Sequence, residues 1–320
     1  DFTAQTHAAA TFADAAGNTW TMNGSSSIIK RHYMFHGEVP EWPPEWDQSG
    51  NDVWTPRQAA GPLRRLQRGA TPLGSVYYRG ATAPVGSFSS LVDYWSFEEP
   101  AGAITVASGL GGKPLTVNSG TVGFGADSTS FACSAPLPTL DGAKLGGPVP
   151  AHATTGQIQW RALAKVPAGG VSAQCRIAFV NTTGTAVKWE LLAETNGNLT
   201  LRAYDSDLVQ ILSSTMGFAV NGAALRYSLS LAQDGADVDY TVSTLEVGQS
   251  TGGQVSGTLA GYTCGRATGV AVNPDAILTD TTFGQMTVQS AVTGAFELYQ
   301  LLNAYVGETA ADRFSRLCRE

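Results

Sequence analysis

Leu225-Arg226-Tyr227-Ser228-Leu229-Ser230-Leu231-Ala232, then Gln233-Asp234-Gly235-Ala236-Asp237, then Val238-Asp239-Tyr240-Thr241-Val242-Ser243-Thr244: this stretch decides the fold. Large apolar side chains fall on every second residue. A period of two buries one row of side chains and leaves the other wet, which is the pattern of an antiparallel sheet. Asp234-Gly235 accepts the positive φ of a type I′ turn, so 225–232 and 238–244 are expected to form a hairpin. Outward from it the alternation repeats at Trp160, Ala162, Ala164 and Val166, at Val187, Trp189 and Leu191, and at Leu199, Leu201 and Ala203. Asn196-Gly197-Asn198 and Asn221-Gly222 mark turns between the runs. Many short strands at this spacing predict a two-sheet antiparallel β-sandwich or jelly roll over 89–292.

Composition agrees. Only 14% of the 320 residues are charged and 43% are hydrophobic, which disfavours a coiled coil or a salt-laced bundle and also disorder. No apolar run approaches the ~20 residues of a membrane span. The net charge of −7 is uneven: residues 1–88 hold seven basic and seven acidic side chains, whereas 89–292 hold nine basic and fifteen acidic. Nucleic acid is therefore not an expected partner, because no basic stripe exists to meet phosphates.

Around the sandwich the pattern changes. Residues 1–88 read as short strands and turns, including a hairpin of Ala10–Phe12 with Thr19–Met22. An extended run follows over Ile28–Val39, then a Trp42-Pro43-Pro44-Glu45-Trp46 loop, a strand from Val53 and a short helix over Pro62–Arg68. Residues 70–90, rich in Gly, Ser, Thr and Pro, read as a linker. After Val292, Phe296, Tyr299, Leu302 and Tyr305 share a helical face, and Thr309 with Asp312 opens a second helix, so 293–320 is expected to be a helical tail. The start at Asp1 and the stop at Glu320 inside that helix suggest a processed chain or an internal segment.

Tests for chemistry return little. There is no G-x-S-x-G elbow, and His32 and His36 sit in an extended run with no base between them. The four cysteines (Cys133, Cys175, Cys264, Cys318) form no C-x-x-C pair; buried thiols are expected, with one disulfide among the first three as an alternative. Glycoside hydrolysis requires two carboxylates across a cleft. Glu98 and Glu99 are adjacent and would point to opposite faces of a strand, whereas Asp205 with Asp207 and Asp237 with Asp239 share a face by period two. These four Asp are either solvated turn acids or oxygen ligands for Ca²⁺, so calcium is the one cofactor considered. Trp95, Trp160 and Trp189 are expected in the core, and Trp42 and Trp46 at a partner interface.

Several strings resemble a known family. Phe35-His36-Gly37-Glu38-Val39, Trp42-Pro43, Trp46-Asp47, Ser49-Gly50, Asp52-Val53, Thr55-Pro56 and Leu63-Arg64-Arg65-Leu66 resemble minor tail proteins of phages and prophages of Streptomyces and related actinobacteria. Tyr94-Trp95-Ser96-Phe97-Glu98-Glu99, Cys133–Leu140, Gln233–Asp239 and Ser256–Gly261 resemble the laminin-G/concanavalin-like insert of those proteins, and Leu302–Ala310 with Arg316-Leu317-Cys318 resembles the stretch after it. The resemblance implies a β-barrel-like hub segment over 1–88, a laminin-G/concanavalin-like jelly roll over 89–292 and a helical return over 293–320. It also implies a non-enzymatic virion component of a tail tip or baseplate. Its partners would be other phage tail proteins, further copies of itself in a trimer, and host cell-wall glycan. Two alternatives stay open: a sandwich depolymerase of envelope polysaccharide, and a lectin-like module of a secreted bacterial protein.

Overall fold

The computed structural model describes residues 74–82, 90–249 and 251–293, together with the backbone of six short strands before them. The chain divides into two compact units, residues 1–71 with 309–320, and residues 72–308. In the first unit β1 (Ala4–Thr6) pairs with β4 (Ser27–Ile29), β2 (Ala10–Ala13) with β3 (Thr19–Met22), and β5 (Glu45–Trp46) with β6 (Val53–Trp54), all antiparallel. The β2–β3 hairpin is the one expected from the turn residues at 14–18. The other expectations for 1–71, the His32/His36 pair and the helical tail over 293–320 fall outside the described residues.

Residues 70–90 are not merely a linker. Helix α1 (Val76–Thr82) occupies them, opened by Ser75, whose Oγ accepts the Tyr78 N–H at 3.0 Å. Tyr77 and Ala81 are buried, and the rings of Tyr77 and Tyr78 pack on Tyr94. Of the small polar residues that suggested a linker, Ser75 is the cap of this helix, and Gly80 and Thr82 lie in its last turns. No helix among the described residues is long and apolar enough to cross a membrane.

The second unit is mainly β, one antiparallel array of fourteen strands folded into a nearly closed sandwich. One half runs β15 (Gln210–Met216), β14 (Leu199–Asp205), β13 (Ala186–Ala193), β12 (Cys175–Gly184), β19 (Cys264–Val272). The other runs β18 (Gly252–Leu259), β17 (Asp237–Glu246), β16 (Leu225–Asp234), β11 (Gln157–Lys165), β20 (Thr279–Gln289), with β7 (Leu91–Trp95) on the last turn of β20. Strand β10 (Leu137–Pro148) joins the halves: Thr139–Asp141 pairs with β20, and Leu145–Pro148 pairs with β19. The change of partner occurs at Gly142, which has φ 63° and donates to the Leu278 carbonyl at 3.1 Å. There both Asp141 and Gly142 face Thr121 of β9 (Leu115–Asp127), the two-against-one geometry of a bulge, which lets a strand turn a sheet corner. Two-residue β8 (Thr105–Val106) closes onto β9.

The expected hairpin is present, β16 with β17, in register from Leu225↔Glu246 to Asp234↔Asp237 around Gly235 at φ 59°. Its inward row of Leu225, Tyr227, Leu229, Leu231, Val238 and Val242 is buried, as are Trp95, Trp160 and Trp189. Cys133, Cys175 and Cys264 are buried free thiols, so the disulfide alternative does not arise among them.

Candidate functional site

The alternation that buries Trp189, Leu191, Leu201 and Ala203 turns Lys188, Glu190, Leu192, Arg202 and Tyr204 to the other face of the same strands. Register brings them together, with Glu190 opposite Arg202, Lys188 opposite Tyr204 and Arg176 of β12 opposite Leu192. Asp275 and Ile277 from the β19–β20 connection and Leu208 from the β14–β15 turn complete a groove of about 540 Å³.

The groove is held by a charged network. Arg176 donates through Nε to both Asp275 oxygens at 3.0 Å, through Nη2 to Asp275 Oδ1, and through Nη1 to Glu190 Oε1 at 3.0 Å. Lys188 Nζ reaches the same Glu190 oxygen at 2.6 Å while lying 4.6 Å from the centre of the Phe179 ring and 5.7 Å from that of Tyr204. The Arg176 hydrogen bonds hold the Asp275 carboxyl below its ordinary value. Burial pushes against ionisation of Glu190, but the bonds from Lys188 and Arg176 outweigh it and hold that carboxyl low as well. Burial and the Glu190 charge push the Tyr204 phenol up. Arg202 Nη2 donates to Gln174 Oε1 at 3.1 Å, and its Nε is buried with no acceptor.

At the rim, Leu208 has φ 61° and is 66% exposed. Asp205 holds that turn: its Oδ1 accepts from Asp207 N at 3.0 Å and Val209 N at 2.9 Å, and its carbonyl accepts from Leu208 N at 3.0 Å. An exposed leucine in a left-handed conformation is a costly arrangement kept in place by its surroundings.

A second, smaller cleft of about 250 Å³ lies beside α1, lined by Gly74, Tyr78, Ser96, Glu98, Glu99 and Ser108 among others. Here the expectation that Glu98 and Glu99 point apart is corrected. Strand β7 ends at Trp95 and Phe97 takes φ 63°, so both carboxylates line one cleft. Glu98 Oε1 accepts from Ser134 Oγ at 3.1 Å, Ala135 N at 3.0 Å and Gln285 Nε2 at 2.6 Å, tying three segments together. Glu99 Oε1 accepts from Ala107 N at 2.7 Å, its Oε2 is buried without a partner, and burial raises its carboxyl.

The four aspartates named as calcium candidates are divided between two hairpins. Asp205 and Asp207 do not share a strand face, because β14 ends at Asp205 and the Asx turn carries Asp207 out of the ladder. Asp237 and Asp239 do share one, on either side of buried Val238, and their oxygens accept from Gly261 N at 2.8 Å and Thr258 Oγ1 at 2.6 Å. Among the described residues, no group of three or more His, Cys, Asp or Glu is placed to hold a metal ion. Trp42 and the Trp46 side chain fall outside the described residues; only the pairing of Trp46 with Val53 in β5–β6 is given.

The groove residues were present in the sequence as the polar half of the alternating runs. The signal that finds them is the charged pair of positions Lys188 and Glu190 facing Arg202 and Tyr204 across one turn. Arg176 and Asp275, 99 residues apart, carry no such local signal.

No protein-family model matches the sequence, and no curated protein is similar to it. Solved structures similar to the chain include the Trypanosoma rangeli sialidase, at 9% identity and TM-score 0.42, covering 91% of this chain and 50% of the sialidase. They include the enzymatically active domain of tailspike protein 2 of bacteriophage CBA120, at 11% identity and TM-score 0.33 over 55% of this chain and 30% of that one. The CBM2 module of the evolved Dit of Lactobacillus casei BL23 phage J-1 is similar at 13% identity and TM-score 0.37, covering 65% of this chain and 98% of the module. The chain thus spans about half the length of the sialidase. At these identities none of them assigns a role to a residue here. The expectation of a chain without enzymatic activity is nevertheless corrected, because the solved structures similar to this chain include a sialidase and a tailspike enzymatically active domain.

Proposed function

We propose that the chain is a component of a phage tail tip and that the groove over β12–β14 takes host-surface glycan during adsorption. The observation that carries the glycan reading is the groove itself. It is a depression on a sheet, with two guanidiniums, an ammonium, two carboxylates and a phenol converging on about 540 Å³. Hydrogen-bonding groups fixed on strands suit a ligand made of hydroxyls, and the exposed Leu208 and the Tyr204 ring offer apolar surface to sugar C–H groups. The tail-tip part rests on the sequence resemblance, with other tail proteins and further copies of the chain as its partners.

The test is binding of the full chain to an array of bacterial cell-wall polysaccharides and oligosaccharides, followed by titration of the best ligand. Saturable binding is expected, weakened about tenfold by Tyr204→Ala, the effect of losing roughly one good contact. Folded protein that binds nothing on the array would leave the groove without a glycan role.

A further inference from the structure

We propose that this groove selects an acidic glycan, one carrying a carboxylate or phosphate, and that Arg202 is the residue that recognises the anionic group. The inference rests on the glycan-binding reading above and narrows it to a ligand class.

Charge within the groove is not balanced. The nine basic residues of 89–292 are outnumbered by fifteen acids, yet three of the nine, Arg176, Lys188 and Arg202, line this one depression, against two acids, Glu190 and Asp275. Both acids are already engaged: Asp275 by Arg176, and Glu190 by Arg176 and Lys188 together. Arg202 stands directly across the ladder from Glu190 but forms no ion pair with it; the neutral Gln174 amide takes its Nη2. Gln174 turns its own Nε2 to Glu194, which does not line the groove. The Arg202 Nε–H is buried with nothing to accept it. A buried donor without a partner is costly to maintain, and a turn of the guanidinium toward an oxyanion in the groove would relieve that cost.

The chemistry of the side chain narrows the ligand further. A guanidinium offers a planar fork that matches a carboxylate or a phosphate with two parallel hydrogen bonds, and remains charged at any physiological pH. Arg202 is fixed on a central strand, with its fork lying between the Tyr204 phenol and Gln174. Leu208 at the rim adds an apolar lip beside the charge, so one face of a ring is covered while its acidic substituent reaches inward. The surrounding surface is negative, so recognition of an anion here is a contact effect within a Debye length of ~8 Å and not long-range steering.

The experiment titrates the full chain, by calorimetry, with three probes of similar length: a uronic-acid oligosaccharide, a polyol-phosphate oligomer and a neutral β-linked glucose oligomer. At least one acidic probe is expected to bind at least tenfold more tightly than the neutral one. That preference should shrink when salt is raised from low to several hundred millimolar, and should disappear in Arg202→Gln, the acidic probe then binding no more tightly than the neutral one. Which acidic probe wins distinguishes a carboxylate source from a phosphate source. Equal or tighter binding of the neutral probe by the wild-type chain, or an acidic preference that survives in Arg202→Gln, would overturn the inference and leave the glycan groove standing. If none of the three probes binds but another array glycan does, its charge decides the point in the same way. If the array as a whole is silent, the glycan reading fails first. The wild-type comparison of acidic with neutral ligand requires no variant, so misfolding of Arg202→Gln would not protect the idea.

Discussion

At the scale of single residues, Arg176 is the joint of the groove. It links Asp275 on the β19–β20 connection to Glu190 on β13, and Glu190 is nearly inaccessible, with 4% of its side chain exposed. Removing the guanidinium leaves a buried carboxylate with Lys188 alone. Arg176→Met is expected to lower unfolding free energy by about 2 kcal/mol in a urea titration, the order of a charged hydrogen bond lost from a partly buried site. The same pairs set the acid limit. Asp275 and Glu190 are held below their ordinary values of 3.8 and 4.5, so their contribution is complete above those values and is lost as pH falls through the lower folded-state ones. Stability of the wild-type chain should therefore drop below about pH 4, and Arg176→Met should flatten that drop; an unchanged acid slope in the variant would remove these pairs from the account. None of this was legible in the sequence, because the two partners of Arg176 lie 14 and 99 residues away and neither spacing signals contact.

At the scale of elements, the corner at Gly142 lets one strand serve both halves of the sandwich. Gly142 and its neighbour Gly120 on β9 both have positive φ, and a methyl group on Gly120 would run into the Gly142 backbone. Gly142→Ala would meet only the Ala276 carbonyl at 3.4 Å, so its cost is expected to be the left-handed strain of about 1–2 kcal/mol. Gly120→Ala adds a backbone clash and should cost more; the reverse order in thermal melts would argue that the corner relaxes. Hairpins announce themselves in sequence because their turns are local, as Asp234-Gly235 shows. Strand β10 does not, since a strand that changes partners midway has no periodic signature. Strand β20 was hidden for another reason. It is buried on both faces from Thr281 to Gln289, and its Thr281, Thr282 and Gln285 side chains are satisfied by the Thr279 carbonyl, Asp127, Glu98 and Ser134, so polarity no longer reports exposure. Helix α1 was missed because its capping Ser75 and small residues look like a loop until Tyr77 and Ala81 are seen to pack.

At the scale of the whole molecule, the sandwich holds together without covalent ties among its described cysteines. Burial pushes the Cys133 and Cys264 thiols up to about 12, and burial with the charges of Asp275 and Glu194 takes Cys175 up to about 11. Three of the four thiols are thus expected to ignore an aromatic disulfide reagent in the native state and to react on unfolding, and a reducing agent should leave the melting temperature of the chain unchanged. Fast labelling of more than one thiol under native conditions would contradict the packing described. The closure of the array has a further consequence. Strands β15 and β18 end the two halves and come together where Gly253 lies against Met216 and Phe218; β7 is flanked by α1, and β8 has only two residues. The free edges of β15 and β18 share no ladder but lie near one another, so each limits the room beside the other for an added strand. Crowded copies of this unit are therefore expected to template one another less readily through these two edges than open sheets of the same length would.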